Sequence, residues 1–85
     1  MPALVALAEA GDFAPLVALA RDGTDGQKEE AAGALRSLAY DNADNQVAIA
    51  MAGGIAPLVA LARDGTDAQK QQAALALANF AANAD

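Results

Sequence analysis

The sequence contains no cysteine, no histidine and no tryptophan, and only 4% of its residues are aromatic. Without cysteine and histidine the chain can build neither a disulfide framework nor a thiol nucleophile nor a histidine base, and the usual zinc ligands are missing. Its threonine hydroxyls have no base beside them to activate a nucleophile. We therefore expect a protein that is not an enzyme and that uses no metal and no cofactor.

Basic residues are also scarce, since five Lys and Arg stand against eleven Asp and Glu, for a formal net charge of -6. Binding to nucleic acid or to an anionic membrane needs a positive patch that neutralises phosphates. The first basic residue is Arg21, which is not typical of a secretory signal, and no apolar run approaches the roughly 20 residues of a membrane span. We expect no nucleic-acid or membrane partner and a soluble protein in the cytoplasm or elsewhere inside the cell.

Alanine accounts for 26 of the 85 residues, whereas all larger apolar side chains together number 21. Because alanine is the best helix former and runs of β-branched residues are missing, the composition predicts an all-α fold. Ordering one residue costs about 1 to 2 kcal/mol of backbone entropy, and fully burying a larger side chain contributes about 1.5 to 3 kcal/mol. With so few larger side chains, the chain by itself is expected to be marginally stable.

The sequence repeats itself with a period of 42 residues. The segment Ala14–Asp25 recurs unchanged as Ala56–Asp67, and the same register gives 24 identities in 43 aligned pairs. Periods of about 40 to 47 residues are typical of HEAT and armadillo repeats. We therefore divide the chain into a first unit, residues 1–43, and a second unit, residues 44–85, within one continuous domain.

Each unit is predicted to contain three helices. In the first unit they cover residues 2–10, 13–22 and 25–40, and in the second unit residues 44–52, 55–64 and 67–83. Most of the breaks contain glycine, which can close a helix, and a capping box begins the third helix of each unit. These boxes pair Thr24 with Gln27 and Thr66 with Gln69. Three helices per unit favour the armadillo plan, with the two-helix HEAT plan as the alternative.

Two segments of the second unit carry a more specific resemblance. Residues 45–61, NQVAIAMAGGIAPLVAL, resemble the armadillo core pattern N-x-x-x-I-x-x-A-G-(G/A)-(I/L)-x-x-L-V-x-L-L. Residues 72–81, QAALALANFA, are similar to the family's third-helix pattern E-A-x-W-A-L-x-N-(I/L)-A. The resemblance implies a right-handed α-solenoid of two armadillo repeats. In that family the third helices line a concave groove that holds extended peptides.

The resemblance also implies which residues would line such a groove. A family asparagine that binds the peptide backbone corresponds to Asn79 and Ser37, and a tryptophan one turn earlier corresponds to Leu75 and Gly33. Helical spacing adds three more candidates on the same faces, Glu30, Tyr40 and Gln72. Only Asn79 keeps the family's residue type and is the best single candidate. Acidic Glu30 and Asp41 favour a basic peptide.

The outer helices lack the polar faces that normally cap a repeat array. Two repeats are also fewer than the roughly three that usually bury a continuous core. The chain is therefore expected to be a piece of a longer array, natural or designed, or to form a homo-oligomer, a dimer or higher. The candidate residues for self-association are Leu4, Leu7, Leu77 and Phe80.

The junction between the two units is the one predicted break without glycine or proline. Its residues are Tyr40, Asp41, Asn42, Ala43 and Asp44. Such a hinge can become helical and allow two chains to exchange a unit in a domain swap. The favoured alternative is an ordinary loop in which Asn42 or Asp44 caps the next helix.

Two functions are compatible with these features. The chain is a structural and protein-interaction module that associates with itself through uncapped ends, or it is a module that binds an extended, basic peptide in the third-helix groove. The lack of most of the family's groove residues favours self-association.

Overall fold

The computed structural model describes residues 2–82, which form six α-helices, three in each unit. They are α1 (Pro2–Glu9), α2 (Ala14–Asp22), α3 (Asp25–Ala39), α4 (Ala43–Met51), α5 (Ile55–Asp64) and α6 (Asp67–Ala82). The all-α prediction is confirmed, and the predicted bounds differ by no more than one residue from the observed ones. Four residues expected to be helical lie just outside the helices, Ala10, Phe13, Tyr40 and Ala52, and Ala43 begins α4. The predicted end of α6, Asn83, lies outside the described residues.

The breaks after α1, α3 and α4 each contain a residue with positive φ. Gly11 and Gly53 adopt φ of 101° and 83°, a conformation that glycine tolerates because it has no Cβ. At the junction of the units the corresponding role falls to Asp41, with φ of 50°, the only non-glycine residue with positive φ in residues 2–82. Asn42 then caps α4, because its Oδ1 accepts from the Asn45 amide at 2.9 Å. The hinge is therefore a capped loop in this structure, and α3 and α4 are separate helices.

Both predicted capping boxes are present. The Thr24 hydroxyl accepts from the Gln27 amide at 3.2 Å, and Gln27 Oε1 accepts from the Thr24 amide at 2.9 Å. Thr66 and Gln69 make the same pair of bonds at 3.1 and 2.9 Å. Each box therefore satisfies two backbone amides that helix formation leaves without intrahelical partners.

Helices that correspond through the 42-residue offset contact each other, α2 against α5 and α3 against α6. Within the units, α2 packs against α3 and α5 against α6. Much of the buried core is alanine, which lets helices approach closely. The largest fully buried side chains come from both units and are Phe13, Leu16, Val17, Leu35, Ile49 and Leu58. Because one cluster joins these side chains, the two units share a single core.

Side-chain amides of the second unit bind backbone carbonyls of the first. At the end of α3, Asn45 Nδ2 donates to the Leu38 carbonyl and Gln46 Nε2 donates to the Ala39 carbonyl, each at 2.8 Å. Near its start, Gln69 Nε2 donates to the Asp25 carbonyl at 2.9 Å. Two of these carbonyls belong to the last turn of α3, where carbonyls lack intrahelical partners. The amides therefore fix the position of the second unit along α3.

Substitution of Gln69 by alanine is expected to lower the free energy of unfolding by about 2 kcal/mol, because it removes a capping bond and a bond between the units. Gln27→Ala is the matched control, since Gln27 makes the same capping bond but is exposed. It is expected to cost about 1 kcal/mol. Urea denaturation followed by circular dichroism measures both. Equal losses for the two variants would show that the Gln69–Asp25 bond does not stabilise the fold.

Candidate functional site

A depression of about 500 Å³ lies between α3 and α6, on the side predicted to form a groove. Its lining consists of Arg36, Ser37, Tyr40, Leu75, Ala78 and Asn79. Four of these residues, Ser37, Tyr40, Leu75 and Asn79, are groove candidates from the sequence. Tyr40 and Leu75 are exposed there, so the depression presents apolar surface to solvent. Helical spacing and the packing of α3 against α6 therefore bring four of the seven predicted groove residues together.

The remaining three candidates lie around this depression. Gln72 is half-buried, and its end lies over Gly33, where an added Cβ would be 3.5 Å from Gln72 Cδ. Glu30 is exposed and is not part of the lining. Gly33 and Gln72 therefore belong to the contact between α3 and α6, whereas Glu30 faces solvent.

Two hydrogen bonds between α3 and α6 involve Arg36, one of the residues that line the depression. Arg36 Nη1 donates to Gln72 Oε1 at 2.9 Å, and Asn79 Nδ2 donates to the Arg36 carbonyl at 2.8 Å. The amide of Asn79, the best peptide-binding candidate, therefore ties α6 to α3 in this structure. A peptide that used the same donor atom would share it with this carbonyl.

Sequence reasoning missed Arg36 and Ala78. Arg36 is three residues after Gly33 and four before Tyr40, so the spacing that grouped those residues also places Arg36 beside them. It is the one charged residue of the lining. Because Arg36 brings a positive charge and no carboxylate accompanies it, the depression itself does not favour a basic ligand.

The two units differ sharply in the exposure of corresponding residues. Val17 is 1% exposed, whereas Val59, at the same position of the second unit, is 42% exposed. Four such pairs combine a buried residue of the first unit with an exposed, identical residue of the second, Ala8 with Ala50, Val17 with Val59, Ala32 with Ala74 and Ala39 with Ala81. We call Ala50, Val59, Ala74 and Ala81 the open face.

The second unit is what covers the buried member of at least one pair. A Cβ added at Gly54 would lie 3.2 Å from Val17 Cγ2, so the backbone of the second unit runs directly against Val17. For Val59, residues 2–82 contain no third unit in the corresponding place. The open face therefore presents to solvent residue types that the first unit buries at the corresponding positions.

The four self-association candidates are only partly at the surface. Leu7 is 43% exposed, whereas Leu4, Leu77 and Phe80 pack against the core and are partly buried. In the second unit the exposed large apolar side chains are instead Val47, Met51, Val59 and Leu75. Hydrophobic surface thus exists at both ends, but it is not concentrated on the predicted residues.

A second depression, of about 420 Å³, lies near the turns that precede α3 and α6. Its charged residues are Arg21, Asp25, Lys28 and Asp64, two of each sign. This balance favours neither an anion nor a cation. Among residues 2–82 no group of three or more acidic side chains is placed to hold a metal ion.

No single helix within residues 2–82 is long and apolar enough to cross a membrane, and α4 and α5, which would have to do so together, are bent by 86° at their break. The chain matches no protein-family model, no curated protein and no solved structure.

Proposed function

We propose that the chain is a non-catalytic structural and protein-interaction module, two armadillo-like repeats stacked as a right-handed solenoid that associates with copies of itself. The observation that carries the proposal is the open face. Its residues have the same side chains as positions that are buried in the first unit, yet they are exposed in the second. A surface with the composition of an internal interface is therefore presented to solvent.

Covering this surface would contribute substantially to stability. Complete burial of a valine contributes about 1.5 to 3 kcal/mol. Because Val59 is 42% exposed, covering it would add part of that free energy. Native domains are stable by only about 5 to 15 kcal/mol, and we expect a chain with few large side chains to lie near the lower limit. Association through the open face therefore supplies stability that the separate chain lacks.

Exchange of units between two chains is a second route to the same function, and Asp41 supports it. A non-glycine residue in the left-handed region costs about 1 to 2 kcal/mol, less for Asp than for most residues. If α3 and α4 joined into one helix, this cost would disappear. A swapped dimer would form without using the open face.

Sedimentation velocity from micromolar to millimolar concentrations tests self-association, and Asp41→Gly separates its two routes. We expect a concentration-dependent dimer. Glycine at position 41 is expected to stabilise the capped turn by up to about 1 kcal/mol. It should leave the dimer fraction unchanged when the open face forms the contact and should lower that fraction when the dimer is swapped. A chain that stays monomeric throughout contradicts the proposal.

Peptide binding in the depression between α3 and α6 is the second candidate function, because four of seven predicted groove residues line it. The exposed ring of Tyr40 and the exposed side chain of Leu75 could pack against a peptide, and Arg36 would favour a carbonyl or carboxylate. A sizing column run with and without a mixture of acidic and basic peptides separates the two functions. A peptide-binding module changes its elution only when peptide is present, whereas a self-associating module changes with its own concentration.

A further inference from the structure

We propose that the open face of one chain is covered by the open face of a second copy, related to the first by a two-fold axis, with the two α6 helices packed together. This inference rests on the proposed self-association and names its partner surface. The other possibility is head-to-tail stacking, in which the first unit of one copy covers the second unit of another and the array grows without limit.

The interface between the two units is the template for head-to-tail stacking. Three side-chain hydrogen bonds connect α3 to the second unit's α6. They join Gln69 Nε2 to the Asp25 carbonyl, Arg36 Nη1 to Gln72 Oε1, and Asn79 Nδ2 to the Arg36 carbonyl. A head-to-tail contact would use the residues at the corresponding positions, 42 residues away.

Only one of these three bonds would be reproduced. Gln27 and Asp67 correspond to Gln69 and Asp25 and keep the same residue types. At the Arg36 position the second unit has Ala78, so the guanidinium donor is missing. At the position that corresponds to Asn79, the first unit has Ser37, whose side chain is shorter. Head-to-tail stacking would therefore lose most of the polar contacts of the template.

In the first unit, the residue that corresponds to Gln72 is Glu30. The charge of Glu30 makes head-to-tail stacking unfavourable. Glu30 is exposed to solvent in the chain. Stacking would bring its carboxylate against Leu75 and Ala78, away from water and without the arginine that Gln72 meets. A carboxylate that loses water without gaining a positive partner carries a large desolvation penalty.

Two open faces, in contrast, have no such conflict. Residues 71–82 of α6 contain no charged side chain. Ala74, Ala78 and Ala81 form an exposed stripe with spacings of four and three residues, and Val59 of α5 adds a larger apolar side chain. Small side chains allow helix axes to approach to about 8 Å. Because a two-fold contact pairs identical surfaces, the uncharged stripe of one copy would contact the same stripe of the other.

Substitution of Ala74 by glutamate tests the contact. Two like charges would face the same interface, and the dissociation constant of the dimer is expected to rise at least about 100-fold. Ala74 is exposed in the chain, so circular dichroism should show an unchanged fold. Ala56→Glu is the matched control, because Ala56 and its counterpart Ala14 are both exposed and neither depends on stacking.

Mixing of variants separates the two arrangements. In a two-fold dimer, Ala74→Glu and Ala74→Lys chains should each dissociate alone and form a dimer when mixed, whereas Ser37→Glu should leave the dimer intact. In head-to-tail stacking, Ser37→Glu should weaken association as strongly as Ala74→Glu. Growth beyond a dimer, or a dimer that Ala74→Glu leaves unchanged, overturns this inference but not self-association. A monomeric wild-type chain instead contradicts the proposed function.

Discussion

Replacement of Leu35 by alanine is expected to lower the free energy of unfolding by about 3 kcal/mol, a large part of the total stability of so small a chain. Leu35 is fully buried in the core shared by the two units. Truncation removes its transfer free energy and leaves a cavity that helices on both sides can close only in part. Urea denaturation followed by circular dichroism gives the difference.

Leu77 provides the matched comparison for Leu35. It has the same residue type at the corresponding position of α6 but is only partly buried. Leu77→Ala is expected to cost about half as much in the monomer, because fewer contacts are lost. If the open face is covered by a second copy, the cost of Leu77→Ala should increase with protein concentration. A loss below about 1 kcal/mol for Leu35→Ala would contradict the shared core.

A chain carrying Ser37→Asn, Leu75→Ala and Ala78→Arg is expected to change from a closed assembly to open-ended head-to-tail polymers. The arginine introduced at position 78 gives Glu30 of the next copy a charged partner. Asparagine at position 37 restores the length of the amide that Asn79 supplies between the units. Leu75 corresponds to Gly33 of the template contact, where an added Cβ would lie 3.5 Å from Gln72 Cδ. Alanine at position 75 therefore removes side-chain bulk at a place where only a Cβ fits.

Light scattering and electron microscopy would detect such polymers directly. Adding Glu30→Arg to the three substitutions is the control, because two positive charges would then face each other across the new contact. This quadruple variant should not polymerise. If the triple variant forms no polymer although it is folded, the residues at positions 30, 37, 75 and 78 are not what prevents head-to-tail stacking.

The helices and their caps could be predicted because they depend on neighbours in sequence. Thr24 and Gln27 are three residues apart, and the bonds between them need only one helical turn to form. The loop at Asn42 is equally local, and it was the favoured alternative for the hinge. Armadillo-like stacking is more than a local property and stays a proposal.

The candidate site was only partly predictable, because it also depends on contacts between residues that are far apart in sequence. Spacing along one helix placed Ser37 and Tyr40 together, and Leu75 and Asn79 together. It did not reveal that Asn79 binds the Arg36 carbonyl, since that bond depends on how α3 and α6 approach. Nor did spacing reveal that Ala74 and Ala81 are exposed whereas their counterparts Ala32 and Ala39 are buried.

The sequence by itself determined six helices, their bounds to within one residue in residues 2–82 and the two capping boxes, because helix propensity, glycine breaks and hydrogen bonds within one turn act over a few residues. Tertiary structure decided which copy of a repeated residue is buried. Val17 and Val59 have the same neighbours along the chain, but only Val17 has a second unit against it. Burial is a property of what packs on a side chain, and two identical segments cannot encode that difference.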